Sequence, residues 1–111
     1  MFGEKVLAFN RWVIRSRPDL PRGTSYLLTF DEEEVQRVTG AFYARYYNDE
    51  RNRCFLFGIN PGRFGAGLTG IPFTDPLNLE TRCRIPNALS KQPELSSDFI
   101  YRMIERMGGP E

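Results

Sequence analysis

An α/β fold is predicted for this chain, because amphipathic helices alternate with a buried apolar strand along it. The helical segments carry apolar side chains at spacings of three and four residues. Between the second and third helices lies Arg53 to Ile59 (RCFLFGI), a run of strand length that is typical of a central parallel strand covered on both faces. With 111 residues, 41% hydrophobic and 26% charged, the chain has the composition of one folded domain.

The first helix is predicted from an apolar stripe near the start of the chain, and Pro18 prevents it from continuing. After a turn-like segment, Ser25 to Phe30 (SYLLTF) is expected to form a short strand or to pack in an extended form against the core. The stripe consists of Phe2, Val6, Phe9 and Val13, with Arg11, Arg15 and Arg17 around it.

The second helix is expected to be capped by Asp31 and to hold three glutamates in its first turn, where they face the positive end of the helix dipole. Asn60 to Leu79 reads as a long loop with at most a short helical turn, and Arg82 to Glu94 as irregular. The third helix is expected to be capped by Ser96 or Ser97 and to end at Gly108. The buried faces are predicted to be Val35, Val38, Phe42 and Tyr46 in the second helix, and Phe99, Ile100, Met103, Ile104 and Met107 in the third.

One clear strand and one doubtful strand do not make a parallel sheet. We therefore expect residues 1–111 to be the N-terminal part of a single domain whose remaining C-terminal part completes the sheet. The alternatives are a partner chain or strands that the pattern does not reveal. The ending MGGPE, just after a helix, favours the first explanation.

Charge and cysteine content narrow the function classes. The net charge of +1 gives no global sign of nucleic-acid binding, although 13 of the 15 basic residues are Arg, which contacts phosphate through a planar fork. Cys54 and Cys83 are expected to be reduced and structural, and too few for a cluster or a disulfide framework. We expect no metal, no cofactor and no membrane span, and a cytoplasmic location.

A motif that can carry chemistry follows the apolar run directly. Ligands of open α/β sheets bind beyond the carboxyl ends of strands, and the order of strand and then GINPG puts Asn60 at such an edge. Several glycines allow tight turns and close approach of a ligand, and the prolines restrict the loop. Taken alone, NPG is more often an ordinary turn that ends a strand.

The longer stretch Phe57 to Phe73 (FGINPGRFGAGLTGIPF) resembles the motif of the single-strand-selective monofunctional uracil-DNA glycosylases, and looks similar to a bacterial branch of that superfamily. Their pattern runs G-M-N-P-G-x-F-G, three residues, then T-G-V-P-F-G. Here Ile59 replaces the Met, Arg63 a usual Pro, Ile71 the Val and Thr74 the last Gly.

The resemblance implies a three-layer αβα fold with a parallel sheet, incomplete in this chain, and hydrolysis of the N-glycosidic bond of uracil or a related damaged base flipped out of DNA. Asn60 stands at the position that orients the water, and Phe73 at that of the aromatic residue that stacks on the base. The partner that the resemblance implies is DNA, single-stranded DNA included. The remaining candidates are Gly58, Ile59, Gly62 and Phe64 for the substrate, and Arg63, Gly65 and Thr69 for DNA, with a turn-capping role as the alternative for Thr69.

The family's second motif, with a His that stabilises the departing base and a further Asn that reads it, is missing, and the chain contains no His. We therefore expect these residues alone to be inactive or nearly so. The alternative is a non-catalytic module that binds single-stranded nucleic acid or a protein on a glycosylase-like fold. Its face would be Tyr43, Tyr46 and Tyr47 with Arg45, Arg51 and Arg53, although helix packing is the more ordinary explanation. A nucleotide-phosphate loop is weaker, because no Lys follows the glycines. The damaged base is left open.

Overall fold

The computed structural model describes residues 1–27 and 29–111, and its regular structure is helical throughout the described part. Two long helices come first, two short ones follow the motif, and a third long one closes the chain. Their bounds are α1 Phe2–Arg15, α2 Glu33–Tyr46, α3 Ala66–Thr69, α4 Pro76–Thr81 and α5 Leu95–Arg106.

Helices α1 and α2 form a close pair. A side chain on Gly3 would come within 2.7 Å of the Tyr43 carbonyl oxygen, so the two backbones approach where α1 lacks a side chain. The N–H groups of Phe2 and Gly3, which lie too early in α1 for helical partners, donate to Asp49 and Tyr47 carbonyls at 3.0 and 2.8 Å. The start of α1 is thus tied to the end of α2.

The core lies between α2 and the chain that follows the motif. Val35 and Val38 are fully buried and Phe42 nearly so, which confirms most of the apolar face predicted for the second helix. The buried cluster is Val38, Phe42, Tyr43, Ile71, Leu79, Cys83, Ile85 and Tyr101.

Burial differs from the prediction at both outer helices. Phe9 in α1 and Phe99 and Met107 in the α5 region are exposed, although their helical spacing assigned them to buried stripes. The buried side chains of α5 are instead Ser97 and Tyr101. Amphipathic spacing identifies a face that buries well, but the described residues do not cover all of these faces.

Two predicted caps are wrong. The residue before α2 is Glu32, and the carboxylate of Asp31 pairs with Arg17 at 2.9 Å instead. Helix α5 begins after Glu94, so Ser96 and Ser97 lie within its first turn. A side chain that can cap was taken by another partner in each case. The predicted end at Gly108 holds, because this glycine adopts φ +116 and donates to the Glu105 carbonyl.

The predicted parallel sheet is wrong for this structure, because no residue of the described ranges 1–27 and 29–111 is in a strand. Arg53 to Ile59 is without regular structure, and the side chains of Phe57 and Ile59 are 90% and 101% exposed. A strand exists only through hydrogen bonds to a neighbour, and the described part of the chain offers this run none. Ser25 to Phe30 likewise forms no strand where it is described, and Leu28 lies outside the described residues.

The two cysteines are free, as predicted. Cys83 is buried in the core, and burial raises the pKa of its thiol. Cys54 is exposed although its neighbours in sequence are apolar. In the part of the chain described, no helix is both long and apolar enough to cross a membrane.

Candidate active site

The motif lines a cleft of about 600 Å³, which lies within the usual size of a small-molecule site. Asn60 and Phe73 both line it, although they are separated along the chain by α3 and its flanking turns. The cleft is open and mostly apolar. Of the predicted substrate residues it also includes Gly58, Ile59 and Gly62, with Phe30, Leu56, Phe57, Pro61, Ala66, Gly70, Pro72, Glu94 and Ser96 completing the wall.

Phe73 is held in an uncommon backbone conformation, with φ +55. Residues other than Gly rarely adopt this backbone region, because it is strained. Such strain persists where the surrounding structure fixes the residue. The turn is closed by the Thr74 N–H, which donates to the Ile71 carbonyl at 3.2 Å. The Phe73 ring lies against Gly58, where an added methyl carbon would come within 3.2 Å of the ring edge. The glycine leaves room for the aromatic side chain.

Thr69 fixes that turn from the inside. Its side chain is fully buried, and its hydroxyl donates to the Thr74 carbonyl oxygen at 2.7 Å. The hydroxyl oxygen of Thr69 also accepts the Ile71 N–H at 3.1 Å. In this position the hydroxyl spans the turn that carries Phe73, which lies after Gly70 and not before it as the turn-capping alternative for Thr69 places it.

The Thr74 side chain joins this turn to α5. Its hydroxyl lies 2.9 Å from that of Tyr101, and the Tyr101 hydroxyl lies 3.2 Å from the Cys83 sulfur. Burial raises the pKa of Tyr101, and the nearby Cys83 adds to this shift. The phenol therefore stays protonated and able to donate a hydrogen bond at physiological pH.

The glycines beside Asn60 receive a side chain from the start of α5. A methyl group on either Gly62 or Gly65 would overlap the carboxylate of Glu94. Gly65 is buried. Its direct contact with DNA stays a prediction, and the burial of Gly65 counts against it. Glu94 is absent from the motif, and sequence reasoning missed it because it belongs to the irregular segment before α5.

Arg63 and Phe64 lie at the exposed surface of the loop. The Arg63 guanidinium sits 5.3 Å from the centre of the Phe64 ring, a cation–π arrangement. Both side chains are solvent-exposed. Phe64 is not among the residues lining the cleft, so its predicted substrate contact stays a prediction.

The aromatic and basic face considered for a binding module is occupied by internal contacts. Tyr43 is buried, and Tyr46 and Tyr47 pack with it around Phe42. Burial raises the pKa of Tyr46 to about 12. The three arginines pair with carboxylates: Arg45 with Glu111, and Arg51 and Arg53 with Asp49. These contacts favour the ordinary explanation, helix packing and charged surface.

Comparison with known proteins finds a solved structure that is similar to this chain. The crystal structure of wild-type SMUG2 from Pedobacter heparinus matches 97% of this chain with a TM-score of 0.82 and 44% sequence identity. The match covers 47% of the SMUG2 chain, so this chain spans about half the length of that relative. No protein-family model matches the chain, and no curated protein does.

Proposed function

We propose that this chain, 97% of which is similar to about half of the SMUG2 chain, forms the water-positioning and base-stacking side of a DNA-repair glycosylase site. The observation that carries the proposal is the meeting of Asn60 and Phe73 in one cleft. The motif resemblance assigns complementary roles to these two residues. An exposed amide and an aromatic ring that line the same apolar cleft suit a water molecule and a planar base.

The proposed reaction is hydrolysis of the N-glycosidic bond of uracil, or of a related damaged base, in DNA. The base leaves the stack and enters the cleft, where the Phe73 ring stacks on its face. The glycosidic bond breaks with its electron pair going to the base, and the sugar becomes an oxocarbenium-like cation. The oxygen of a water molecule then bonds to the sugar carbon and loses a proton to the solvent, while the base leaves as an anion.

Asn60 supports the last step by orientation. Its side-chain carbonyl accepts a hydrogen bond from the water and aims the water's lone pair at the sugar. An amide is too weak a base to take the proton in the ground state, but a strong electrophile demands a well-placed water more than a strong base. Asn60 is thus catalytic by orienting the water, a role that the chemistry of an amide allows.

The departing base is an anion, and the proposal places its stabilisation outside these 111 residues. Electrostatic stabilisation of a developing charge is commonly the largest catalytic contribution. We therefore propose that the chain alone is nearly inactive, and that the C-terminal part of the same domain supplies the remaining groups. DNA, single-stranded DNA included, is the proposed partner, and the exposed Arg63 its proposed phosphate contact.

The test uses a chimera in which this chain replaces the matching part of Pedobacter heparinus SMUG2. Release of uracil from a single-stranded oligonucleotide is measured for the chain alone, for the chimera and for its Asn60→Ala variant. We expect release by the chimera, almost none by the chain, and a loss of at least about 100-fold on Asn60→Ala with oligonucleotide affinity nearly unchanged.

Two results would count against the proposal. Equal release by the chain and the chimera would place the whole site in this chain. A chimera that binds the oligonucleotide but releases no base, with or without Asn60, would favour the binding module instead. Gly40→Ala serves as the control substitution, because nothing lies within 4 Å of the added carbon.

A further inference from the structure

The Glu94 carboxylate occupies the space that side chains would fill at Gly62 and Gly65. These two glycines bracket the turn from Gly62 to Gly65, which starts two residues after Asn60, while Glu94 immediately precedes α5. The Glu94 side chain also lines the same cleft as Asn60. A side chain from a distant part of the chain is thus inserted into the turn that presents the proposed catalytic amide.

One oxygen of this carboxylate is buried without a partner. Oε1 accepts the Ser96 hydroxyl at 2.8 Å, whereas Oε2 is buried and has no hydrogen-bond partner among the residues described. A buried acceptor without a donor destabilises the fold, so each such group needs a reason. The carboxylate therefore occupies the glycine turn at a cost to the free energy of folding.

The backbone of Glu94 is fixed independently of its side chain. Its N–H donates to the Asp75 carboxylate at 2.9 Å, and the other oxygen of Asp75 accepts the Asn78 N–H at 2.7 Å. Ser97 adds two further contacts, because its hydroxyl accepts the Asp75 N–H and the Asn78 side-chain amide, both at 3.0 Å. The fully buried Asp75 therefore joins the starts of α4 and α5. Glu94 projects from a rigid base.

The turn itself is also held by main-chain bonds. The Gly62 carbonyl accepts the N–H of Gly67 at 2.8 Å and that of Gly65 at 3.3 Å. Pro61 restricts the backbone between Asn60 and Gly62. A displacement of Gly62 is therefore passed to Asn60 over a short and stiff connection.

We infer that Glu94 is a positioning residue, which sets the place of Asn60 by filling the glycine turn behind it. The two glycines are required because the carboxylate takes the room of their side chains. Through this contact, the start of α5 helps to hold the wall of the cleft in place. Only the final step, from a displaced Asn60 to slower base release, rests on the proposed function.

The first measurement is made on the chain by NMR. Glu94→Ala should shift the Asn60 side-chain amide signals and speed hydrogen exchange of the Gly67 N–H by at least about tenfold, because that N–H donates to Gly62. Glu94→Gln has nearly the same shape and should keep both readouts close to wild type. Unchanged signals and exchange in Glu94→Ala would overturn the inference.

A double-mutant cycle tests the contact itself. Gly62→Ala should displace the flexible end of Glu94 and give the same changes, so adding Glu94→Ala to it should change little more. Gly40→Ala, where the added carbon meets nothing within 4 Å, should leave the effect of Glu94→Ala intact. Effects of Gly62→Ala and Glu94→Ala that simply add would show that the two residues act separately.

The link to catalysis is read in the chimera. Glu94→Ala should lower kcat for uracil release about tenfold or more with KM within about twofold, and Glu94→Gln should restore it. A wild-type chimera that releases no base would refute the proposed function and leave the exchange result standing. Full activity of Glu94→Ala beside an active wild type would refute the positioning role alone.

Discussion

The ring of Phe73 packs against the backbone of Gly58. Gly58 lies two residues before Asn60, so the turn that carries Phe73 is in contact with the segment that carries Asn60. An alanine carbon at position 58 would come within 3.2 Å of the ring. This is tighter than ordinary van der Waals contact, so the ring has to move by a few tenths of an ångström.

Gly58→Ala should therefore weaken base release by the chimera about tenfold, because the stacking surface is misplaced while the water site is intact. Uracil release from a single-stranded oligonucleotide is the measurement. Gly40→Ala is the matched control and should raise the melting temperature, since alanine is favoured over glycine inside a helix. Wild-type release by Gly58→Ala would show that the contact does not set the ring's place.

Thr69→Val should destabilise the chain by about 1 to 3 kcal/mol, because it leaves the buried Thr74 carbonyl and Ile71 N–H without their partner. Urea unfolding measures the difference. Thr81 is the control, since its exposed hydroxyl donates to the Leu77 carbonyl at 2.8 Å and its replacement by Val should cost about 1 kcal/mol or less. Equal costs at both positions would contradict the role of Thr69 in the turn.

Arg63→Ala should reduce the slope of log affinity against log salt by about 1 for a single-stranded oligonucleotide bound to the chimera. The exposed guanidinium can lie against a phosphate, and binding releases fewer counterions from the DNA when that phosphate is not neutralised by the protein. Arg106→Ala, at the end of α5, should leave the slope unchanged. A wild-type slope for Arg63→Ala would remove the phosphate contact from the proposal.

Glu34 should make stability depend on pH. Hydrogen bonds from Arg37 and from the Ala88 N–H lower its pKa from 4.5 to about 2. Because the folded pKa is the lower one, the stabilisation is present above about pH 4.5 and is lost as the pH falls toward 2. Melting temperatures of the wild type and Glu34→Gln should differ at about pH 7 and converge only as the pH falls through about 2. A constant gap would contradict this assignment.

Patterns within a few residues were read correctly from the sequence, and patterns set by distant partners were not. The face of α2 was predicted because Val35 and Val38 are brought together by helical spacing alone. Arg53 to Ile59 was assigned to a sheet, but an apolar run becomes a strand only beside another strand. Asp31 has the chemistry of a cap, yet Arg17 binds it instead.

The same division holds for the site. The family resemblance read from Phe57 to Phe73 is confirmed, and this stretch supplies most of the cleft that Asn60 and Phe73 line. Their chemical roles stay predictions. Glu94 was out of reach of sequence reasoning, because its contact with Gly62 depends on how α5 is anchored through Asp75.

The exposed run from Cys54 to Ile59 has a practical consequence for every experiment on this chain. It contains no charge and no proline and is rich in aromatic and aliphatic side chains, the composition of segments that stack into fibrils. The neighbouring Arg51 and Arg53 are the charges that oppose such stacking. Protein concentration is therefore a variable to control, with light scattering recorded alongside each measurement. Arg51 and Arg53 should not be replaced by cysteine to attach a label, because that would remove their charges.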